Sequence, residues 1–314
     1  MDGAEPGVSP GKFQHPDITA KGEARAHVSF ARLDTLWVNT GTLCNIECAN
    51  CYIDSSPTND SLAYLTAAEI APFLDEARVM NAREIGFTGG EPFMNPEMAA
   101  MAEAALSRGF DVLILTNAMR PMMRPRVKEG LLSLRQRYDG KLTLRVSLDH
   151  FSHEIHDGER GADSFKASLE GLAWLVESGF SLTVAGRNAL GASEADMRAG
   201  YANLFAQAGV AIDAADPSQL ILFPEMDVAR DIAEITTACW DILHKNPSEM
   251  MCATSRMVVK RKGAMRPVVL SCTLLAYDPQ FEMGETLKAA ARDVKLNHPF
   301  CAQFCVLGGA SCSR

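Results

Sequence analysis

Three cysteines near the start of the chain, Cys44, Cys48 and Cys51, lie within eight residues of one another, and the aromatic Tyr52 follows directly. Three thiolates on one short loop can bind three irons of a [4Fe–4S] cube and leave the fourth iron without a protein ligand. A structural zinc site would require four ligands, and no further cysteine or histidine lies near this loop. An open metal position is typical of a reactive site, so the spacing CxxxCxxC predicts redox chemistry here.

A second group of cysteines lies in the last part of the chain, and the uneven distribution suggests two metal sites at opposite ends of the sequence. The chain has nine cysteines, an odd number that suits a disulfide framework poorly. Four thiolates at loop spacings suit zinc as well as iron. Cys239, which lies beside Trp240, is expected to be a packed core residue. The cysteines of the second group are Cys252, Cys272, Cys301, Cys305 and Cys312.

Composition limits the class of protein. The chain has 314 residues, of which 47% are hydrophobic and 22% charged, values typical of a globular protein with one large domain and a small appendage. The net charge of −9 disfavours a nucleic-acid partner. No apolar run approaches the roughly 20 residues of a membrane span, and no secretion signal opens the chain. We therefore expect a cytoplasmic enzyme that binds neither membrane nor nucleic acid.

Short apolar strands alternate with amphipathic segments from about residue 33, a pattern that predicts βα units and a parallel sheet. Thr66 and Glu69 form a capping box for the first helix, and a last helix is predicted over Val228–Lys245. Six such units are two short of a closed barrel, so the predicted fold is an α/β partial (βα)6 barrel. The predicted strands are Leu33–Thr40, Arg83–Thr88, Phe110–Thr116, Lys141–Asp149, Ser181–Arg187 and Gln219–Phe223.

The predicted alternation of strands and helices divides the chain into three parts. Residues 1–30 have no apolar periodicity and are predicted to form a flexible tail, and residues 31–246 are the βα core. Residues 247–314 are a separate extension, with strands at Ser255–Val259 and Pro267–Leu270 and a helix near Gly284–Arg292. Active sites of parallel βα repeats lie in the loops after the strands, where the first cysteines also fall.

Further motifs occupy these loops in order. Gly89-Gly90-Glu91-Pro92 follows the second predicted strand, and Ser147 and Asp149 end the fourth, ahead of His156-Asp157 and Arg160-Gly161. With the cysteine motif, they resemble the radical S-adenosylmethionine (radical SAM) superfamily over about residues 34–225. The resemblance implies a [4Fe–4S] cluster bound by Cys44, Cys48 and Cys51, and a SAM amino group near Glu91. The SAM-binding residues that it implies are Tyr52, Gly89, Gly90, Glu91, Pro92, Asn117, Ser147, Asp149 and Arg160.

The C-terminal cysteines, with a turn at Gly263 between the first two, resemble the Twitch or SPASM extension of such enzymes, which binds auxiliary [4Fe–4S] clusters. The spacing is looser than is usual for that extension. Five cysteines suffice for one fully ligated cluster and not for two, so we expect one auxiliary cluster. Its favoured ligands are Cys252, Cys272, Cys301 and Cys305, whereas Cys312 replaces one of them or stays free.

The resemblance implies reductive cleavage of SAM to a 5′-deoxyadenosyl radical that abstracts a hydrogen atom from the substrate, with electrons from a flavodoxin- or ferredoxin-type donor. An auxiliary cluster favours a net oxidation. Only about thirty residues precede the first strand, too few for a domain that recognises a leader peptide, which favours a small-molecule substrate. A peptide-modifying maturase and a non-catalytic iron–sulfur or zinc protein remain as alternatives. No catalytic residue is assigned beyond the cluster ligands.

Overall fold

The computed structural model describes residues 11–188, 192–227 and 230–310, in which strands and helices alternate over most of the chain. The strands are β1 (His27–Val28), β2 (Thr35–Asn39), β3 (Glu84–Thr88), β4 (Asp111–Thr116), β5 (Leu142–Ser147), β6 (Ser181–Asn188), β7 (Leu220–Pro224), β8 (Ser255–Val259), β9 (Val268–Leu270), β10 (Glu282–Gly284) and β11 (Val294–Lys295). The helices are α1 (Ala67–Val79), α2 (Met98–Leu106), α3 (Pro125–Arg137), α4 (His153–Arg160), α5 (Ser164–Glu177), α6 (Glu194–Ala208), α7 (Cys239–Ile242) and α8 (Leu287–Ala290).

One sheet of nine strands organises the chain, in the order β10-β9-β8-β2-β3-β4-β5-β6-β7. Strands β2 to β7 run parallel to one another and coincide with the six strands predicted from the sequence to within two residues at either end. The carboxyl ends of parallel strands meet at one edge of a sheet, so the loops that follow them are brought together.

The helices between the strands are amphipathic and bury apolar side chains in the main core. Helix α1 begins with the predicted capping box: Thr66 accepts a hydrogen bond from the backbone of Glu69, and the Glu69 carboxylate accepts one from the backbone of Thr66. Two orphan backbone donors at the helix start are thereby satisfied. The apolar face of α1 then packs Ile70 and Leu74 into the core, where both are fully buried.

The C-terminal hairpin continues the main sheet. Strand β8 pairs in parallel with β2, and β9 and β10 follow in antiparallel pairing. The two strands predicted in this region are present, whereas the helix predicted near Gly284–Arg292 is limited to the four residues of α8. As a result β2, which precedes the cysteine loop, has hydrogen-bonded neighbours on both sides.

The helix predicted over Val228–Lys245 is wrong. Val228 and residue 229 lie outside the described residues, and of the remainder only α7 is α-helical. The segment before α7 pairs instead with the start of the chain: Ala26 donates a backbone hydrogen bond to Ile235 at 2.8 Å, and Thr237 donates one to Ala24 at 3.0 Å. Tertiary pairing of the backbone has overridden the local helical pattern.

The first described residues are packed, in contrast to the flexible tail predicted over residues 1–30, of which 1–10 lie outside the described part. The Arg25 guanidinium and the Glu234 carboxylate form an ion pair of 2.6 Å with side chains 0% and 6% exposed. Glu234 also accepts backbone hydrogen bonds from Phe13 and Ala20. A buried pair that satisfies this many groups fixes the segment in place. Sequence periodicity could not reveal this, because the partners are far apart in the chain.

Candidate active site

A cavity of about 180 Å³ opens at the carboxyl ends of the parallel strands and brings most of the predicted site residues together. Three parts of the sequence that lie far apart meet here: the cysteine loop (residues 44–51), the glycine pair after β3 and the polar end of β5. The predicted residues that line this central cavity are Cys44, Cys48, Cys51, Tyr52, Gly89, Gly90, Pro92, Asn117, Ser147, Asp149 and Arg160.

Two residues that follow the cysteine loop, Ser55 and Ser56, form hydrogen bonds with its two ends. Cys44 donates a backbone hydrogen bond to Ser56 at 3.0 Å, and the backbone N–H of Ser55 donates to the sulfur of Cys51 at 3.3 Å. Burial raises the pKa of the Cys44 thiol to about 12. Thiolates bind metal, so metal uptake here should release protons, including the proton of the buried Cys44 thiol.

The glycine pair after β3 allows two loops to approach closely. Gly89 has φ of +145°, which favours glycine, and Gly90 donates a backbone hydrogen bond to Gly41 at 2.8 Å. A Cβ atom on Gly90 would lie 2.3 Å from the carbonyl oxygen of Leu43, the residue before Cys44. Only glycine can therefore place this turn directly against the base of the cysteine loop.

The Glu91 carboxylate is held by hydrogen bonds within the chain. Its carboxylate is 2% exposed and accepts hydrogen bonds from the Thr116 hydroxyl at 2.9 Å and from the backbone N–H groups of Asn117 and Phe93 at 2.8 and 3.2 Å. Burial raises its pKa to about 7 despite these bonds. Glu91 is not among the residues that line the cavity. The expected contact of Glu91 with a SAM amino group stays a prediction. Within the chain, this carboxylate joins the loop after β3 to the end of β4 and the loop that follows it.

A buried ion cluster lies on the opposite wall of the cavity. Arg160 donates two hydrogen bonds to Asp149, of 2.7 and 2.9 Å, and the Arg187 guanidinium lies 3.5 Å from the same carboxylate. Burial alone would raise the pKa of Asp149, but the two arginines outweigh it and lower the pKa to about 2. Two cations therefore share one anion, and the cluster keeps a positive charge beside the cysteine loop.

Arg187 is a site residue that the sequence analysis missed. It hydrogen-bonds the backbone carbonyl of Asn50 inside the cysteine loop, and its guanidinium lies 4.5 Å from the centre of the Tyr52 ring. Its Nη1 atom is buried and finds no hydrogen-bond partner within the described part of the chain. The sequence feature that could have indicated Arg187 is its position at the end of a predicted apolar strand. Other lining residues that were missed are Trp37, Arg145, Thr273 and Leu274.

These features fit a SAM molecule beside a cluster. The orphaned donor of Arg187 and the excess of positive charge suit a carboxylate, and the buried hydroxyl of Ser55, which also has no partner among the described residues, lies in the same cavity wall. The glycine pair leaves exposed backbone where a side chain would otherwise fill the space. The residues present are thus chemically matched to an amino-acid ligand.

The predicted auxiliary ligands Cys252, Cys272, Cys301 and Cys305 line one small, separate C-terminal cavity. Burial raises the pKa of the Cys301 thiol well above its ordinary value, and Cys272 and Cys252 raise it further, which indicates their proximity. Cys301 and Cys305 lie on a single π-helical turn, Cys301–Leu307. Among the described residues no three side chains converge as a site for a single metal ion. Cys312 lies outside the described residues.

The two cavities adjoin each other. Leu274 lines both of them, and its backbone N–H donates a hydrogen bond of 3.4 Å to the sulfur of Cys272. Thr273, between these two residues, lines the central cavity. The C-terminal extension therefore supplies part of the wall of the central cavity as well as its own cysteines.

Comparison with known proteins supports one class of enzyme. The family model of the Radical SAM superfamily matches residues 38–191, and with the relatives below it supports assignment of this chain to that superfamily. A [4Fe–4S] cluster and SAM are the cofactors that this superfamily implies. The matched residues run from β2 through β6 and so include the cysteine loop, the glycine pair and the buried ion cluster.

Among the helices that the structure describes, none is both long and apolar enough to cross a membrane.

Three relatives are similar to this chain over slightly less than half of its length. The antilisterial bacteriocin subtilosin biosynthesis protein AlbA of Bacillus subtilis is 30% identical, over 45% of this chain and 30% of that protein. The AdoMet-dependent heme synthase of Methanosarcina barkeri is 29% identical (46% and 41%), and the mycofactocin maturase MftC of Mycobacterium ulcerans is 28% identical (44% and 35%). The matches thus span less than half of each relative.

The fold is shared with solved structures of more distant sequence. Streptococcus suis SuiB bound to S-adenosylmethionine has a TM-score of 0.59 and 12% identity, over 81% of this chain and 63% of that one. At this identity the similarity concerns the fold alone. It extends beyond the family-model match and supports an α/β fold of radical SAM type for this chain.

Proposed function

We propose that this chain is a radical SAM enzyme that modifies a peptide. The observation that carries the proposal is the convergence of Cys44, Cys48 and Cys51 with the glycine pair and the Asp149 cluster on one cavity. When bound there, the cluster and SAM supply a 5′-deoxyadenosyl radical that can abstract a hydrogen atom from an unactivated carbon. The exact reaction, whether oxidation, cross-linking or epimerisation, depends on the substrate.

The chain's own residues would bind and orient the cofactor and shield the site. The three thiolates of the cysteine loop would hold three irons, and the positive charge of Arg160 and Arg187 would attract the SAM carboxylate. Gly89 and Gly90 offer backbone groups at close approach. Thr273 and Leu274 from the extension, together with Trp37, close the apolar part of the cavity and exclude water.

A peptide substrate is favoured over a small molecule by the relatives. A bacteriocin biosynthesis protein and a maturase are both among them, and either name points to maturation of a larger precursor. A heme synthase is also similar to this chain, and it supports a small-molecule substrate as the second candidate. The two candidates share the cofactor chemistry and differ only in what enters the central cavity.

The C-terminal cysteines are proposed to bind one auxiliary [4Fe–4S] cluster in a Twitch- or SPASM-like extension, residues 247–314, attached to a partial-barrel core of residues 31–246. The common cavity of Cys252, Cys272, Cys301 and Cys305 supports this ligand set, and the contact of Leu274 with both cavities supports electron exchange with the central site. A flavodoxin- or ferredoxin-type donor is retained as the proposed source of electrons.

The test is anaerobic reconstitution followed by iron and sulfide counts and an assay for 5′-deoxyadenosine under reducing conditions. We expect about eight irons per chain and 5′-deoxyadenosine from the wild type. Replacing Cys44, Cys48 and Cys51 by alanine should abolish 5′-deoxyadenosine and leave about four irons. Product formation by this variant would refute the site, and four irons with bound zinc in the wild type would refute the auxiliary cluster.

Substrate class is tested separately by screening hydrogen transfer from candidate substrates into 5′-deoxyadenosine. Deuterium from a labelled precursor peptide encoded near this chain's gene should appear in the product. Deuterium transfer from a labelled porphyrin precursor, with none from the peptide, would favour the small-molecule candidate instead.

A further inference from the structure

One aromatic side chain connects the cysteine loop to the C-terminal helical turn. Tyr52, which directly follows Cys51, lies against Arg187 on the core side and against Phe304 on the extension side, where the ring centres are 6.0 Å apart at an interplanar angle of 80°. Its hydroxyl donates a hydrogen bond of 3.1 Å to the carbonyl of Pro224 at the end of β7. The ring is thus held by three different kinds of contact.

Phe304 lies between two of the predicted auxiliary ligands. It belongs to the π-helical turn that carries Cys301 and Cys305, is fully buried, and stacks on Phe223 with ring centres 5.5 Å apart. A fully buried ring packed on two partners has little room to move. The position of Phe304 therefore follows the position of the two cysteines beside it.

We propose that Tyr52 is a positioning residue that couples the two cysteine sites through its contact with Phe304. A metal held by Cys301 and Cys305 fixes the turn, the turn fixes Phe304, and Phe304 holds Tyr52 and with it Cys51. The proposal rests on the proposed function because SAM binding is its main readout. It requires only a metal at the C-terminal cysteines, whether a cluster or zinc.

The coupling has a thermodynamic consequence in both directions. A metal that orders the C-terminal cysteines should strengthen SAM binding at the cysteine loop. In return, an ordered cysteine loop should help to retain the C-terminal metal, because coupling between two sites is reciprocal. A single edge-to-face aromatic contact changes an affinity by about fivefold. We therefore expect a coupling of this size when the contact is removed.

The first test compares SAM binding to reconstituted holoprotein by equilibrium dialysis for Phe304→Leu and Phe73→Leu. Phe73 is a buried core residue of α1 outside both cavities, so its variant controls for general loss of packing. Phe304→Leu should raise the SAM Kd about fivefold and weaken the SAM-induced change in the EPR spectrum of the first cluster, whereas Phe73→Leu should change the Kd less than about twofold. Equal effects of the two variants would overturn the proposal.

A double-mutant cycle isolates the contact itself. In a Tyr52→Leu background, Phe304→Leu should have little further effect on the SAM Kd, because the contact is already absent. Full additivity of the two substitutions would contradict the coupling. If Phe304→Leu does not take up iron, Phe304→Met replaces it under the same criteria, since the flexible side chain of methionine fills irregular space.

The reciprocal measurement needs no SAM and so separates the failure of this inference from the failure of the proposed function. In a chain with Cys44, Cys48 and Cys51 replaced by alanine, Tyr52→Leu should speed release of the C-terminal metal to a chelator severalfold. An unchanged release rate would overturn the coupling. Absence of 5′-deoxyadenosine from the wild type, with faster release in this variant, would overturn only the proposed function.

Discussion

Asp149 offers a quantitative test of the buried ion cluster. Its side chain is 6% exposed, and both carboxylate oxygens lie near arginines, Arg160 at 2.7 and 2.9 Å and Arg187 at 3.5 Å. The substitution Asp149→Asn keeps the shape of the side chain and removes its charge, so it imitates the protonated form. Two buried guanidinium groups are then left without their anion, which destabilises the fold.

The size of the effect follows from the pKa. Asp149 has a pKa of about 2 in the folded chain against an ordinary value of 3.8, a difference that corresponds to about 2 kcal/mol of folding free energy at neutral pH. Because the folded pKa is lowered, the stabilisation is fully present above pH 3.8. It is lost as the pH falls through about 2, with roughly half remaining near pH 3.

The assay is urea denaturation of the metal-free protein at several pH values, with the free energy of unfolding compared between the wild type and Asp149→Asn. The difference should be about 2 kcal/mol at pH 7, nearly the same at pH 4, and smaller at pH 3. Asp60→Asn, at an ion pair with Lys262 on the exposed surface, is the matched control and should change little. A difference that does not shrink at low pH would refute this account of the cluster.

Two further predictions concern the elements that hold the site. Gly90→Ala places a Cβ 2.3 Å from the carbonyl oxygen of Leu43, so it should lower the free energy of unfolding by about 1–3 kcal/mol and reduce iron uptake. The control is Gly158→Ala in helix α4, which has nothing within 4 Å of its Cβ and should be neutral or stabilising. Equal iron contents of the two variants would contradict the close-approach argument. Thr66→Ala removes the α1 capping box and should cost about 1 kcal/mol in urea denaturation without changing the iron content per folded chain.

The six parallel strands were predictable because each is a short run that contains several buried apolar residues. Since loops after parallel strands share one edge, the meeting of the cysteine loop, the glycine pair and Asp149 followed from the same pattern. The cysteine spacing could be interpreted locally because the three proposed ligands lie on one loop, and their metal-binding role stays a prediction. The strand predictions depend on short-range periodicity in the sequence, and the structure agrees with them where that periodicity determines the local fold.

The remaining features depend on contacts between distant parts of the chain. The pairing of β8 with β2, the burial of Arg25 against Glu234 and the role of Arg187 all join residues from different predicted elements. The hydrogen bonds of the buried Glu91 carboxylate have a related origin, since its partners come from the end of β4 and the loop after it. No local pattern in the sequence carries this information.

The parallel pairing of β8 with β2 has a consequence for the order of events during synthesis. Strand β2 leads into the cysteine loop, yet one of its two neighbours, β8, is synthesised only after all the other strands that run parallel to it. Residues that follow the cysteine loop also depend on contacts with later parts of the sequence. The backbone N–H of Ala63 donates a hydrogen bond to the carbonyl of Lys260, and the Ile53 carbonyl accepts one from the Tyr277 hydroxyl. A nascent chain thus exposes an unpaired strand edge next to three free thiols. Iron–sulfur insertion is therefore expected to follow synthesis of β8 and of the segment that contains Tyr277.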